Sequence, residues 1–360
     1  MVDLMPNLLM DIISWDTPLW GYLISVFNDF IGNFGWTIIV FTLLLKIILI
    51  PLDYFQRKTA KRNAELQKII QPEVVKIRKK YANVPEVMQQ KIQEKQMEIY
   101  KNNNYNVIGS CLVMFLNMII TVVVFLTLFN CLNQIGSIET TNMYTKLNTE
   151  YNRVYEETGN ETKAEQAVLK LYESGDVVQS WLWIDNLWRG DTCASPIPSY
   201  KEFISLSQYS SNEESKNYLS EDDYNKVMQP IMDKETGWNG YYILIILSGV
   251  ITYLSMAIST GSLKKNKKDK LEEDPSAKMT GIMKFILPAI MVIFTLMSNA
   301  VFGLYVIANS LFALVTTPIY NKILKSKDGN EGNNGDYINS SKNNELVVDY
   351  RIQKNTIIQE

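Results

Sequence analysis

Four windows of the chain, 36–52, 107–132, 241–259 and 281–320, hold two charged side chains between them, Lys46 and Lys284. Charged residues make up 20% of the whole sequence, so the rest of the chain carries nearly all of them. An apolar bilayer core about 30 Å thick is crossed by roughly 20 helical residues. Each of the first three windows suits one crossing. The fourth, at about 1.5 Å of rise per residue, suits two, with Ser298-Asn299 as the turn between them. The pattern predicts an all-α polytopic membrane protein with five transmembrane helices.

Orientation follows from Lys and Arg in the connecting segments. Residues 1–34 contain Asp3, Asp11, Asp16 and Asp29 and no basic residue, which places that end outside. Residues 53–107 carry 12 Lys and Arg and belong in the cytoplasm. The stretch 134–238 has 18 acidic against 9 basic residues and is expected outside. Lys264, Lys265, Lys267, Lys268, Lys270 and Lys278 return the chain to the cytoplasm, where Lys322, Lys325 and Lys327 begin the tail. The expected layout is an outer N-terminal segment 1–34 with an interfacial amphipathic helix, and spans at 35–55, 107–133, 239–259, 280–298 and 300–320. Between them lie a cytoplasmic helical hairpin 56–106, a partly helical outer insertion 134–238 and a cytoplasmic basic loop 260–279. A disordered cytoplasmic tail, 321–360, follows. The N-terminus lacks a basic n-region, so no cleaved signal is expected.

The hairpin rests on two apolar stripes at helical spacing, Leu66, Ile69, Ile70, Val74, Val75 and Ile77, then Val87, Met88, Ile92, Met97, Ile99 and Tyr100. Pro72 and Pro85 punctuate it. In the outer insertion, Trp181, Trp183, Trp188 and Trp238 are expected to anchor a cap over the ends of the spans.

The composition excludes much chemistry. With no histidine in 360 residues, the commonest general base and imidazole metal ligand are missing. Cys111, Cys131 and Cys193 form no CxxC pair. No enzyme activity, cofactor or metal is expected. Lys46 lies mid-span, ten residues after Trp36 and eleven before Arg57, roughly 15 Å from either end of its helix. A charge there costs on the order of 3 kcal/mol on insertion scales, so it is expected to face a water-filled cavity or a partner; the competing reading is a lysine that snorkels along a tilted helix. No Asp or Glu lies inside an apolar window, which disfavours an ion-coupled transporter. The candidate groove is Lys46 with Thr42, Asn117, Thr121, Thr252, Ser255, Asn309 and Thr316. The competing role for such Ser and Thr residues is helix packing.

The segment GNFGWTIIVFTLLLKIILIPLDYFQRKTAKRNAELQKIIQPEVVKIRKKY resembles the first span and following cytoplasmic helix of the YidC/Oxa/Alb membrane protein insertases. The resemblance continues through EIYKNNNYNVIGSCLVMFLNM, WLWIDNL, GYYILIILSGVITYLSM and LPAIMVIF…GLYVIANSLFALV. It implies a protein of a bacterial plasma membrane that moves short outer tails and transmembrane segments of nascent proteins into the bilayer through a hydrophilic groove. A small-solute transporter is the alternative. Lys46 falls where that family carries a basic residue, usually arginine, and 241–259 and 303–320 would supply its greasy slide. Nascent membrane proteins, the ribosome, signal recognition particle, the Sec translocon and membrane lipids are the implied partners. Val107, Val113 and Val306 depart from the family's prolines and tryptophan, and the outer insertion is longer than the family's loop there.

Overall fold

A computed structural model describes residues 18–208, 219–259 and 275–330. The expectations for Asp3, Asp11, Asp16, most of the basic loop and the tail beyond 330 lie outside the described residues. Among the described residues ten helices follow in order: α1 (Pro18–Ile31), α2 (Phe34–Lys80), α3 (Pro85–Asn102), α4 (Val107–Thr158), α5 (Glu161–Glu173), α6 (Tyr200–Leu206), α7 (Glu221–Lys234), α8 (Ile243–Ser259), α9 (Pro275–Met297) and α10 (Ala300–Asn330). Among the described residues the extended pairing is a single bridge, Trp181 with Ile184. α2, α4 and residues Ala300–Leu324 of α10 are long and apolar enough to cross a bilayer. The apolar stretches Ile243–Ser259 and Ile282–Met297 are shorter than the roughly 20 residues a crossing needs. The fold is that of an all-α membrane protein. The chain divides into two compact units, Met1–Val315 and Thr316–Glu360.

The start of α2 is fixed by Asn33. Its side chain accepts from the Gly35 and Trp36 N–H groups at 3.0 and 3.4 Å, satisfying orphan donors of the first turn. Its Nδ2 donates to the Ser180 carbonyl at 3.0 Å. Gly35 is required here, because a Cβ would overlap the Trp181 indole. α1 packs on α2 through Ile24 and through Trp20 and Phe27, whose rings meet Phe41 edge-on at 5.9 and 6.0 Å. Phe30 points away, 93% exposed.

α2 runs unbroken for 47 residues, through Pro51 and Pro72. Pro72 therefore does not punctuate the helix as the sequence suggests. It removes a bond to the Lys68 carbonyl, but Lys68 and Pro72 are both exposed and water can take that acceptor. Pro85 does open α3, at its first turn. The hairpin core is Leu66, Ile70, Val74, Ile92 and Ile99. Ile69 and Met97 are exposed, so each apolar stripe is narrower than the pattern implies. Arg62 closes the open end of the hairpin. Its Nη2 donates to the Asn103 and Asn104 carbonyls at 3.1 and 3.2 Å, at the C-terminus of α3 where a cation is favoured.

α4 continues past its apolar window for 52 residues without a break and ends at Gly159, which is left-handed at φ 57°. Loss of hydropathy after Leu132 does not end a helix, because the backbone bonds persist in water as in lipid. Beyond the window, Met143, Tyr144, Leu147 and Tyr151 of α4 form a second core with Ala164, Val168, Phe203, Tyr224, Val227 and Ile231. Tyr224 closes it by donating to the Pro198 carbonyl at 2.6 Å.

Buried polar groups tie the middle of the insertion to its C-terminal end. Asn239 accepts from the Asn186 N–H at 2.7 Å and donates to the Asn186 and Gly190 carbonyls at 3.0 and 2.9 Å. The Asp191 carboxylate accepts from the Tyr241 and Leu244 N–H groups at 2.8 and 2.5 Å, capping the entry to α8. Trp181 and Trp188 are buried in the main core, with Trp188 against Phe34 at 4.8 Å, whereas Trp238 is exposed.

Candidate functional site: a polar stripe on a membrane helix

The site begins with the register of α2. Advancing 100° per residue, Thr42, Lys46, Asp53 and Arg57 fall within a stripe about 60° wide on one face. Thr42 is fully buried and donates back to the Ile38 carbonyl at 2.6 Å, so its hydroxyl is spent on its own helix. Lys46 is half-buried, and the charges acting on it are those of Asp53 and Arg57. Sequence reading passed over Asp53 because the apolar window ends one residue earlier, at Leu52. Counting in sevens along the helix would have found it.

On α4, Asn117 is buried and its Oδ1 has no hydrogen-bond partner. A buried acceptor left open on a membrane helix is costly, and such groups mark sites that water or a ligand completes. Thr121, one turn on, is exposed. Thr252 of α8 is joined to Ser310 of α10 by a buried hydroxyl pair at 2.9 Å. Ser255 and Asn309 are half-buried. Gly249 lets α8 approach α9 closely, since a Cβ there would stand 2.7 Å from Val292 Cγ2. Thr316 belongs to the second unit, where it continues α10. The candidates are thus placed on α2, α4, α8 and α10, and Thr252 is bonded directly to a neighbouring helix. Among the described residues no group of three Cys, Asp or Glu side chains could hold a metal ion.

An all-helical membrane protein with a cation half-buried within the apolar run of a long helix is a narrow class. Residues 26–327 match the model of the 60Kd inner membrane protein family, and the chain belongs to that family. The chain is similar to the membrane protein insertase YidC of Fusobacterium nucleatum, 40% identical over 92 residues covering 26% of this chain and 41% of that one. The Clostridium tetani protein of the same name is 39% identical over 95 residues, 26% of this chain and 40% of its own. That of Leptospira interrogans is 36% identical over 105 residues, 29% of this chain and 15% of its own. The aligned segments thus span well under half the length of these relatives.

Proposed function

We propose that the protein is a membrane protein insertase working without covalent chemistry. A nascent membrane segment with a short polar outer tail enters a hydrophilic groove between α2, α4, α8 and α10, and Lys46 attracts acidic residues on the tail. Moving one such charge into the bilayer centre costs on the order of 3 kcal/mol. A fixed cation beside water lowers that cost for the tail alone. The single observation that carries this reading is Lys46, half-buried on a polar face of a helix that is otherwise apolar across the same depth. Membership of the family and the names of its relatives support it.

In this reading the protein has five spans, with its N-terminus outside and its C-terminus in the cytoplasm. The α2–α3 hairpin receives the client on the cytoplasmic side and meets the ribosome, signal recognition particle or the Sec translocon. Depleting the protein from cells and surveying their membrane proteins tests the function. Loss of many small, unrelated membrane proteins is expected. Loss confined to the uptake of one solute would replace the insertase reading with a transporter.

A further inference from the structure

A cavity of about 480 Å³ lies where the apolar runs of α4 and α9 end, well within the size range of small-ligand sites. Its walls include Asn133 and Ser137 of α4, the Arg189 segment, Glu202 of α6 and the Ser298-Asn299 turn. Two polar groups there are left open. Arg189 is 8% exposed, and while its Nη2 donates to Glu202 Oε1 at 3.0 Å, its Nη1 has no partner. Ser298 Oγ, also buried, has none. A buried guanidinium edge without an acceptor is among the costlier arrangements in a folded chain.

The charges select the ligand. Glu202 Oε2 accepts from the N–H and hydroxyl of Ser199 at 2.9 and 3.0 Å, yet its side chain stays 46% exposed at the cavity. Burial raises its proton affinity, but the Ser199 N–H and Arg189 outweigh this and hold the carboxyl below its usual range, so it stays ionised. Arg189 and Glu202 together are neutral, and a simple anion would leave the site with a net negative charge. A phosphate beside an ammonium adds no net charge and offers each of the two a partner. Leu296 and Met297 form an exposed apolar rim, at 49% and 80%, where acyl chains can leave. We propose that this cavity binds a zwitterionic phospholipid headgroup, its phosphate on Arg189 and Ser298 and its ammonium toward Glu202. It rests on the reading of α4 and α9 as spans, not on insertase activity.

The test is native mass spectrometry of the purified full chain in detergent, mixed with equal amounts of phosphatidylethanolamine and phosphatidylglycerol. The wild type should retain the zwitterionic lipid in roughly tenfold preference, and Arg189→Gln should lose it, as expected for one charge-assisted contact. Glu202→Gln leaves the cavity with a net positive charge and should reverse the preference toward the anionic lipid. A structural role for the ion pair alone would not produce that reversal, and Glu202→Gln keeps the test decisive if Arg189→Gln misfolds. Equal retention of the two lipids by the wild type, or unchanged selectivity in Glu202→Gln, would overturn the proposal. So would displacement of the lipid by millimolar free phosphoethanolamine, which would make the soluble headgroup the ligand.

Discussion

Lys46 and Asp53 stand seven residues apart on the unbroken helix α2, two turns along the same face. By rise arithmetic they are about 10 Å apart along the axis. At an effective dielectric near 20, that separation corresponds to roughly 1–2 kcal/mol of attraction. Lys46 therefore has an internal acidic neighbour at the edge of its span, with Arg57 one turn further acting in the opposite sense. A carboxylate on an arriving client must compete with Asp53 for the same ammonium.

Removing the competitor should help. Asp53→Asn is expected to raise the insertion rate of clients with acidic outer tails by up to about five- to thirtyfold, the factor that attraction corresponds to. Lys46→Arg should retain activity, and Lys46→Glu should abolish insertion of the same clients. The measurement is protease protection of radiolabelled clients in proteoliposomes. If Lys46→Ala and Lys46→Glu both insert them at the wild-type rate, the charge plays no part.

The Thr252–Ser310 bond is a direct polar link between two of the candidate groove helices. Interhelical hydroxyl bonds in bilayers contribute about 0.6 kcal/mol on average. A double-mutant cycle of Thr252→Ala and Ser310→Ala, read by reversible unfolding in mixed micelles, should give a coupling of that size. Additive single effects would show that the hydroxyls are held by their own helices instead.

Two glycines are fixed by close approach. A Cβ at Gly35 would overlap the Trp181 ring, and one at Gly240 would overlap the Asp191 carboxylate that caps α8. Gly35→Ala and Gly240→Ala should each cost about 1–3 kcal/mol through overpacking. Gly21→Ala, with open space around its Cβ, should cost nothing or stabilise α1 slightly. Thermal melts in detergent rank the three.

The insertion 134–238 should weaken in acid. The carboxyl of Glu202 is partly buried, which raises its proton affinity, but the Ser199 N–H and Arg189 bring it below its unfolded value. Its contribution is present above the unfolded value and is lost as the pH falls through the folded one. The melting temperature of the wild type should therefore exceed that of Glu202→Gln near neutral pH, and the gap should close in acid. A gap independent of pH would mean that the carboxylate charge is not what holds Ser199 and Arg189.

The apolar windows and the hairpin were readable from the sequence because hydropathy and helical spacing act locally. Lys46 stood out for the same reason. The continuity of α2 and α4 was not readable, since an apolar window marks where lipid could begin and end, not where backbone bonding does. Pro72 misled because its cost depends on whether the freed carbonyl meets water. The Asn186–Asn239 tie joins residues 53 apart, and only the closed insertion brings them together. Trp181 and Trp188 resembled surface anchors by type, yet tertiary packing against Gly35 and Phe34 buries them.

The insertase reading is tested most directly by crosslinking a stalled nascent chain to defined positions on α2. A photoreactive residue at Leu49, within the polar stripe's turn of Lys46, and a control at Ile48, which is 74% exposed, sample two sides of one helix. Crosslinks to a client's acidic tail are expected from position 49, and they should disappear in Lys46→Glu. Equal crosslinking from both positions, unchanged by Lys46→Glu, would contradict a groove centred on Lys46.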